Sequence, residues 1–236
     1  MKNIFTILAL TIVFNVNAQD LWFQGTSTDA IQTANATASG DLSIAMGRYT
    51  EASGFASTSM GNLTTAQGSY STAMGYVTIA YGFYSTAMGN GTIAIGDFAS
   101  TAMGYYTTAS GYFGSTAMGR STTASGDSST AMGSGTTASG DGSTAMGNYT
   151  IASDFGSLVI GQYNSSGSSV TNSEDSFSTA NTAFVIGNGA NAGSPSDAFK
   201  VMFNGDTYVS SSLYLGGTKI TSTAAELNLL SGATSL

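Results

Sequence analysis

A glycine returns every seventh residue through the middle of this chain, and that spacing excludes most folds. Glycines stand at 40, 47, 54, 61, 68, 75, 82, 89 and 96, then at 104, 111, 119, 126, 133, 140, 147 and 161. Asp154 occupies the missing place, and the steps from 96 to 104 and from 111 to 119 each carry one extra residue. The units alternate in type. One reads Ser-Thr-Ala-Met-Gly, as at 71–75, 85–89, 115–119, 129–133 and 143–147; the other reads Thr-Thr-Ala-Ser-Gly, as at 107–111, 122–126 and 136–140. The true period is therefore fourteen, and residues 34–161 hold nine repeats.

A seven-residue period also suits a coiled coil, but heptads need two apolar positions with good helix formers between them. Here every unit but one places Gly at its end, at about 1 kcal/mol relative to Ala in a helix. Threonine favours strands, and glycine favours corners that need unusual backbone angles. The pattern predicts an all-β solenoid, a parallel β-roll in which each fourteen-residue coil is strand, corner, strand, corner.

Alternation assigns the faces. In the Thr-Thr-Ala-Ser-Gly strands, Gln67, Tyr81 and Glu51 fall one or three places before the glycine, so those places face out and the alanines face in. In the other strands Met46, Met60, Met74, Met88, Met103, Met118, Met132 and Met146 form a rank that reads as a core ladder. That choice sends Ala45, Ala73, Ala87, Ala102, Ala117, Ala131 and Ala145 outward, as a smooth apolar rank suited to close approach of an identical roll.

The chain has no His and no Cys, which removes disulfides, thiol nucleophiles, His bases and nearly every zinc or iron site. A net charge of −8 argues against nucleic acid as partner. No carboxylate pair recurs at a spacing that would define a hydrolytic site, so no catalytic residue, cofactor or metal is expected. Asp41, Asp97, Asp127 and Asp141 each follow a corner glycine, as a calcium ladder or as solvated turn acids.

Aromatic residues gather at the corners. Tyr76, Phe83, Tyr84, Phe98, Tyr105, Tyr106, Tyr112 and Phe113 either close the edges of the roll or present an adhesive strip to a glycan or matrix protein. Outward threonines, Thr108, Thr123 and Thr137 among them, raise a different reading, an ice-binding face, although Glu51, Ile79 and Ile93 interrupt the rank.

Residues 1–18 read as a signal peptide, with Lys2 before an apolar run and Val16-Asn17-Ala18 as the cleavage site. The apolar run is too short for a bilayer, which takes about 20 residues. Residues 19–33 form a leading segment whose Trp22 covers the first coil or meets a ligand, and 34–161 are the roll. An insertion loop and returning strand (Ala183 to Gly187) occupy 162–189. The tail, 190–236, holds a hairpin at Asn204-Gly205, a strand from Leu213 to Ile220 and a short helix near Glu226.

The repeat Ser-Thr-Ala-Met-Gly-x-x-Thr-Thr-Ala-Ser-Gly resembles the YadA-like head (Hep_Hag repeat) of trimeric autotransporter adhesins. Thr92–Gly96 (Thr-Ile-Ala-Ile-Gly), Ser157–Gly161 (Ser-Leu-Val-Ile-Gly) and Ala183–Gly187 (Ala-Phe-Val-Ile-Gly) come nearest to the family's Ser-Val-Ala-Ile-Gly. The resemblance implies a left-handed roll, a homotrimer, a non-enzymatic role in surface adhesion and a bacterial cell-surface location. Neither the heptad stalk nor the barrel strands of that family are legible in this sequence. Residues 217–228 resemble segments of phage tail fibres, which gives a fibre-like structural or receptor-binding protein as a second alternative.

Overall fold

A computed structural model describes residues 23–165 and 174–229. Residues 1–18, read as a signal peptide, and Trp22 lie outside the described residues. Through the repeats each coil contributes a five-residue strand, such as Thr72–Tyr76, a corner, a two-residue strand, such as Ile79–Ala80, and a second corner. Long strands stack in parallel in strict register, with Ala87 opposite Ala73 and Ala102 and Met88 opposite Met74 and Met103. The short strands make a second parallel sheet of nine, facing the fourteen-stranded sheet that holds the long ones.

The interior is lined by small side chains only. From the short sheet come the alanines of the predicted inner rank, Ala66 to Ala152, with Thr64 to Thr150 beside them, all buried. From the long sheet come Ala45, Ala73, Ala87, Ala102, Ala117, Ala131 and Ala145, each fully buried within the single chain, with Ser71, Ser85 and their equivalents. This reverses the sense assigned to the long strands: the alanines point into the coil, while the methionines and the threonines two places before them point out, only partly covered. The physical reason is the width of the space. Ser59, standing where other coils have Ala, reaches across to Thr64 with hydroxyl oxygens 2.7 Å apart. Two sheets that close cannot hold a methionine between them.

One consequence is a polar core with little to bond to. Among the described residues, the buried hydroxyls of Thr78, Thr92, Thr107, Thr122, Thr136 and Thr150 have no hydrogen-bond partner. Thr64 alone in this rank meets a facing hydroxyl, and Ser59 Oγ also donates to the Thr64 carbonyl at 2.9 Å.

Glycine at the end of each long strand is required twice over. Gly89 has φ +128°, and a Cβ there would fall on the carbonyl oxygen of Gly104 in the next coil. The glycine rank of the short strands has the same close approach, and its one exception is explained by position. Asp154 ends that rank, follows the last short strand (Ile151–Ala152), and is therefore free to carry a side chain. Its buried Oδ2 accepts the Thr182 N–H at 2.7 Å.

Both ends of the roll are closed. Phe23–Gln24 runs antiparallel on Ile31–Gln32 at one end of the long sheet. At the other, Thr182–Asn188 adds one more parallel strand, and Asp197–Met202 and then Thr207–Val209 follow in antiparallel order. On the short sheet, single amide side chains replace the missing coils. Gln32 Oε1 accepts the Ala38 N–H at 2.9 Å, while Asn164 accepts from Ile151 N at 2.7 Å and donates to Ile151 O at 3.0 Å. These devices replace the long parallel edges with short antiparallel strands and amide caps, which discourages rolls from joining end to end.

The hairpin turns at Asn204-Gly205 as the sequence predicts, with Gly205 at φ +91° and Asp206 N donating to Asn204 Oδ1 at 2.9 Å. The segment 213–220 is not one strand. Gly216 and Gly217 both take positive φ and fold it into a hairpin of Tyr214–Leu215 on Thr218–Lys219. A helix, Ala224–Leu229, follows. Thr223 and Glu226 form a capping box at its start, and the Thr223 N–H, with its hydroxyl second, holds the Glu226 carboxyl below the usual carboxylate range.

An unpartnered buried hydroxyl costs about 1–3 kcal/mol, whereas a methyl of the same shape does not. Replacing Thr107 and Thr122 by Val should therefore raise stability by roughly 1 kcal/mol per site. Ser59→Ala, which strips Thr64 of its partner, should lower it by a similar amount. Denaturant melts of the three proteins check both signs.

Candidate adhesive surface

Each coil passes from long strand to corner to short strand to corner, so residues seven apart lie on opposite edges of a flattened roll. The eight aromatic candidates therefore do not form one strip. Tyr76, Tyr105 and Tyr106 lie at the corner that follows the long strands. Phe83, Tyr84, Phe98, Tyr112 and Phe113 lie at the corner that precedes them. The second group is continued by Phe55 and Tyr70, the first by Tyr149 and Tyr163.

Several of these rings sit on left-handed backbone. Tyr70, Tyr84 and Tyr106 have φ of +59°, +57° and +51°, a conformation that costs a bulky residue on the order of 1 kcal/mol or more. Two contacts between coils offset that cost. The Tyr84 N–H donates to Ser69 O at 3.0 Å and the Tyr106 N–H to Asn90 O at 2.8 Å. The rings also stack, Tyr70 on Tyr84 with centroids 5.0 Å apart and planes within 4°. Where the preceding coil has glycine the ring lies over it: a Cβ on Gly91 would meet the Tyr106 ring at 2.7 Å.

The two extra residues of the repeat both fall at the preceding corner, in 97–99 and 112–114. They widen it where Phe83, Phe98 and Phe113 align, joined in sequence by the parallel bridges Phe83↔Phe98 and Phe98↔Phe113. Ring centroids are 5.9 and 5.7 Å apart with planes within 24° and 17°. Tyr112 stands nearly perpendicular to Phe113, at 84° and 4.5 Å. Phe98 is 40% exposed and Phe113 51%, so the cluster is held in place without being hidden. Sequence reasoning counted the extra residues only as breaks in the period; the signal was that both adjoin phenylalanine.

The corner acids act as splints between coils. Asp127 Oδ1 accepts the Tyr112 N–H at 2.6 Å, Asp141 Oδ1 accepts the Asp127 N–H at 2.8 Å, and Asp41 accepts from Thr28 N at 3.3 Å and from the Ser27 hydroxyl. Three of the four corner carboxylates, Asp41, Asp127 and Asp141, are thus each engaged by a neighbouring coil, while Asp97 is exposed. Among the described residues there is no group of three or more His, Cys, Asp or Glu able to hold a metal.

A second surface is the outer face of the long sheet. The methionine rank runs from Met46 to Met146 and continues as Ile160 and Ile186; beside it Thr58 to Thr144 are flanked by Ile44, Leu158 and Phe184. No charged residue stands in either rank. On the short sheet Thr108, Thr123 and Thr137 also face out and are half-buried, but Ile93 and Ile151 bracket them. Among the described residues no helix is long and apolar enough to cross a membrane.

The family model described as the YadA head domain repeat (two copies) matches residues 34–50, 52–77, 80–107, 98–122, 113–136, 124–150 and 138–164. No curated protein matches the chain. Seven matched segments, spread over more than half the sequence and coinciding with the stacked coils, establish that this chain belongs to the YadA head repeat family.

Proposed function

We propose that this chain is the head of an exported, non-enzymatic surface adhesin that works as a homotrimer. Membership of the YadA head family supports the adhesive, non-catalytic reading and exposure at a cell surface. The observation that carries the trimer is the outer face of the long sheet, where an uninterrupted methionine rank lies beside threonines with no charge among them. An apolar face of that extent is rare on a soluble monomer. Closed threefold symmetry would cover it in every subunit without leaving an open end.

The alanine rank cannot be that interface, since it already lies inside the coil. Met118→Glu with Met132→Glu should leave each roll folded but prevent assembly, by placing unpaired charge in the interface. Ala117→Glu should instead destroy the roll. Light scattering and circular dichroism on the three proteins separate the outcomes. A stable folded monomer from the parent chain at micromolar concentration contradicts the trimer.

Export rests on the leader at 1–18. Mass spectrometry of secreted material should find an N-terminus at Gln19, leaving Arg48, Arg120, Lys200 and Lys219 as the cations against thirteen acids. A secreted species that begins at Met1 contradicts cleavage.

A further inference from the structure

The widened corner of the roll carries an open array of rings, and we propose that it is a binding platform for a linear, neutral polysaccharide. This rests on the adhesin reading above and names the class of its receptor. The row repeats. Phe83, Phe98 and Phe113 present one ring per coil at centroid steps of 5.9 and 5.7 Å. A polysaccharide chain likewise offers one ring at each regular step, whereas a folded protein surface does not repeat.

Part of each ring is also open. Parallel rings in full face contact lie about 3.5–4.0 Å apart. At 5.9 and 5.7 Å between centroids the rings are not in full face contact, and each is 40–51% exposed, which leaves part of its surface open. Sugar rings bind through their C–H faces, and an uncovered aromatic face is the surface that suits them. Tyr84 and Tyr112, both about half exposed, place phenolic hydroxyls beside this row, and the exposed Asp97 adjoins Phe98 to accept hydroxyl protons.

Charge narrows the ligand further. This corner has no Lys or Arg, and the cations of the roll, Arg48 and Arg120, sit at the opposite corner. A sulfated or uronic chain would meet carboxylates and no counter-charge, so the ligand is neutral. The extra residue in each of coils 97–99 and 112–114 has a role on this account: it carries the phenylalanine outward into line.

The test is titration of the full exported chain with cellohexaose, chitohexaose, xylohexaose and maltohexaose, followed by tyrosine fluorescence and calorimetry. At least one should bind saturably, without salt dependence, and more tightly than its trisaccharide. Phe98→Leu with Phe113→Leu keeps the bulk and removes the ring faces, and should weaken binding by about tenfold or more. Tyr105→Ser with Tyr106→Ser, at the other corner, should leave it unchanged. Melting curves establish that each variant is folded; where the leucine pair melts early, Tyr112→Ser at the rim takes its place with the same expected loss. Binding of heparin or gelatin with no hexasaccharide bound at millimolar concentration overturns the proposal, as does a leucine pair that binds like the parent. A trimer that attaches to surfaces yet binds none of the four sugars leaves the adhesin reading standing and removes the glycan.

Discussion

Ser59 and Thr64 touch across the interior at 2.7 Å, hydroxyl to hydroxyl, and the other coils at this depth place an alanine opposite a threonine. The rest of the molecule follows from that narrowness. A roll so thin cannot bury methionine, so its largest regular apolar side chains stand outside, on a flat sheet face. Its interior contributes little transfer free energy per residue, since alanine has so little area to remove from water. Regularity makes up the difference, because every coil hydrogen-bonds to two neighbours in strict register and the glycine corners let successive backbones approach to contact.

Narrowness also explains the departures from the repeat. The buried volume grows only at the far end, where Val159 and Val185 succeed the alanines and the insertion and hairpin close the sheet. Asp154 replaces glycine where no further coil presses on it, and Asn164 and Gln32 spend side-chain amides on backbone groups that a further coil would have met. The added corner residues reach the core at one atom each: Ser100 Oγ donates to Gly96 O at 3.3 Å and Ser115 Oγ to Gly111 O at 3.4 Å, whereas the equivalent hydroxyls of Ser71, Ser85 and Ser129 have no partner. They also alter what the edge displays, bridging Phe83 to Phe98 and Phe98 to Phe113.

Much of this was legible in the sequence. The period, the solenoid, the Asn204-Gly205 hairpin and the helix start at Thr223 and Glu226 all rest on local chemistry that packing did not overrule. The inward sense of the short strands was legible because Glu51, Gln67 and Tyr81 marked the outer places. No charged residue stands at the four places before the glycine of the long strands, and alternation alone offers two answers there. Methionine's usual preference for cores then favoured the wrong one. A better guide was size: the places two and four before the glycine never exceed valine, while the places one and three before it vary from threonine to phenylalanine. The aromatic candidates were legible as residues but not as one site, because a step of seven carries the chain to the opposite corner.

The account stands or falls on which way the long strands face. Ala131→Leu, measured by circular dichroism and thermal melting on dilute protein, asks this directly. With Ala131 inside a space this narrow, leucine has nowhere to go, and the cooperative melt and β spectrum should be lost at ambient temperature. A variant that keeps the parent's spectrum and melts within a few degrees of it would place the alanine rank on the surface and contradict the inward sense of the whole sheet.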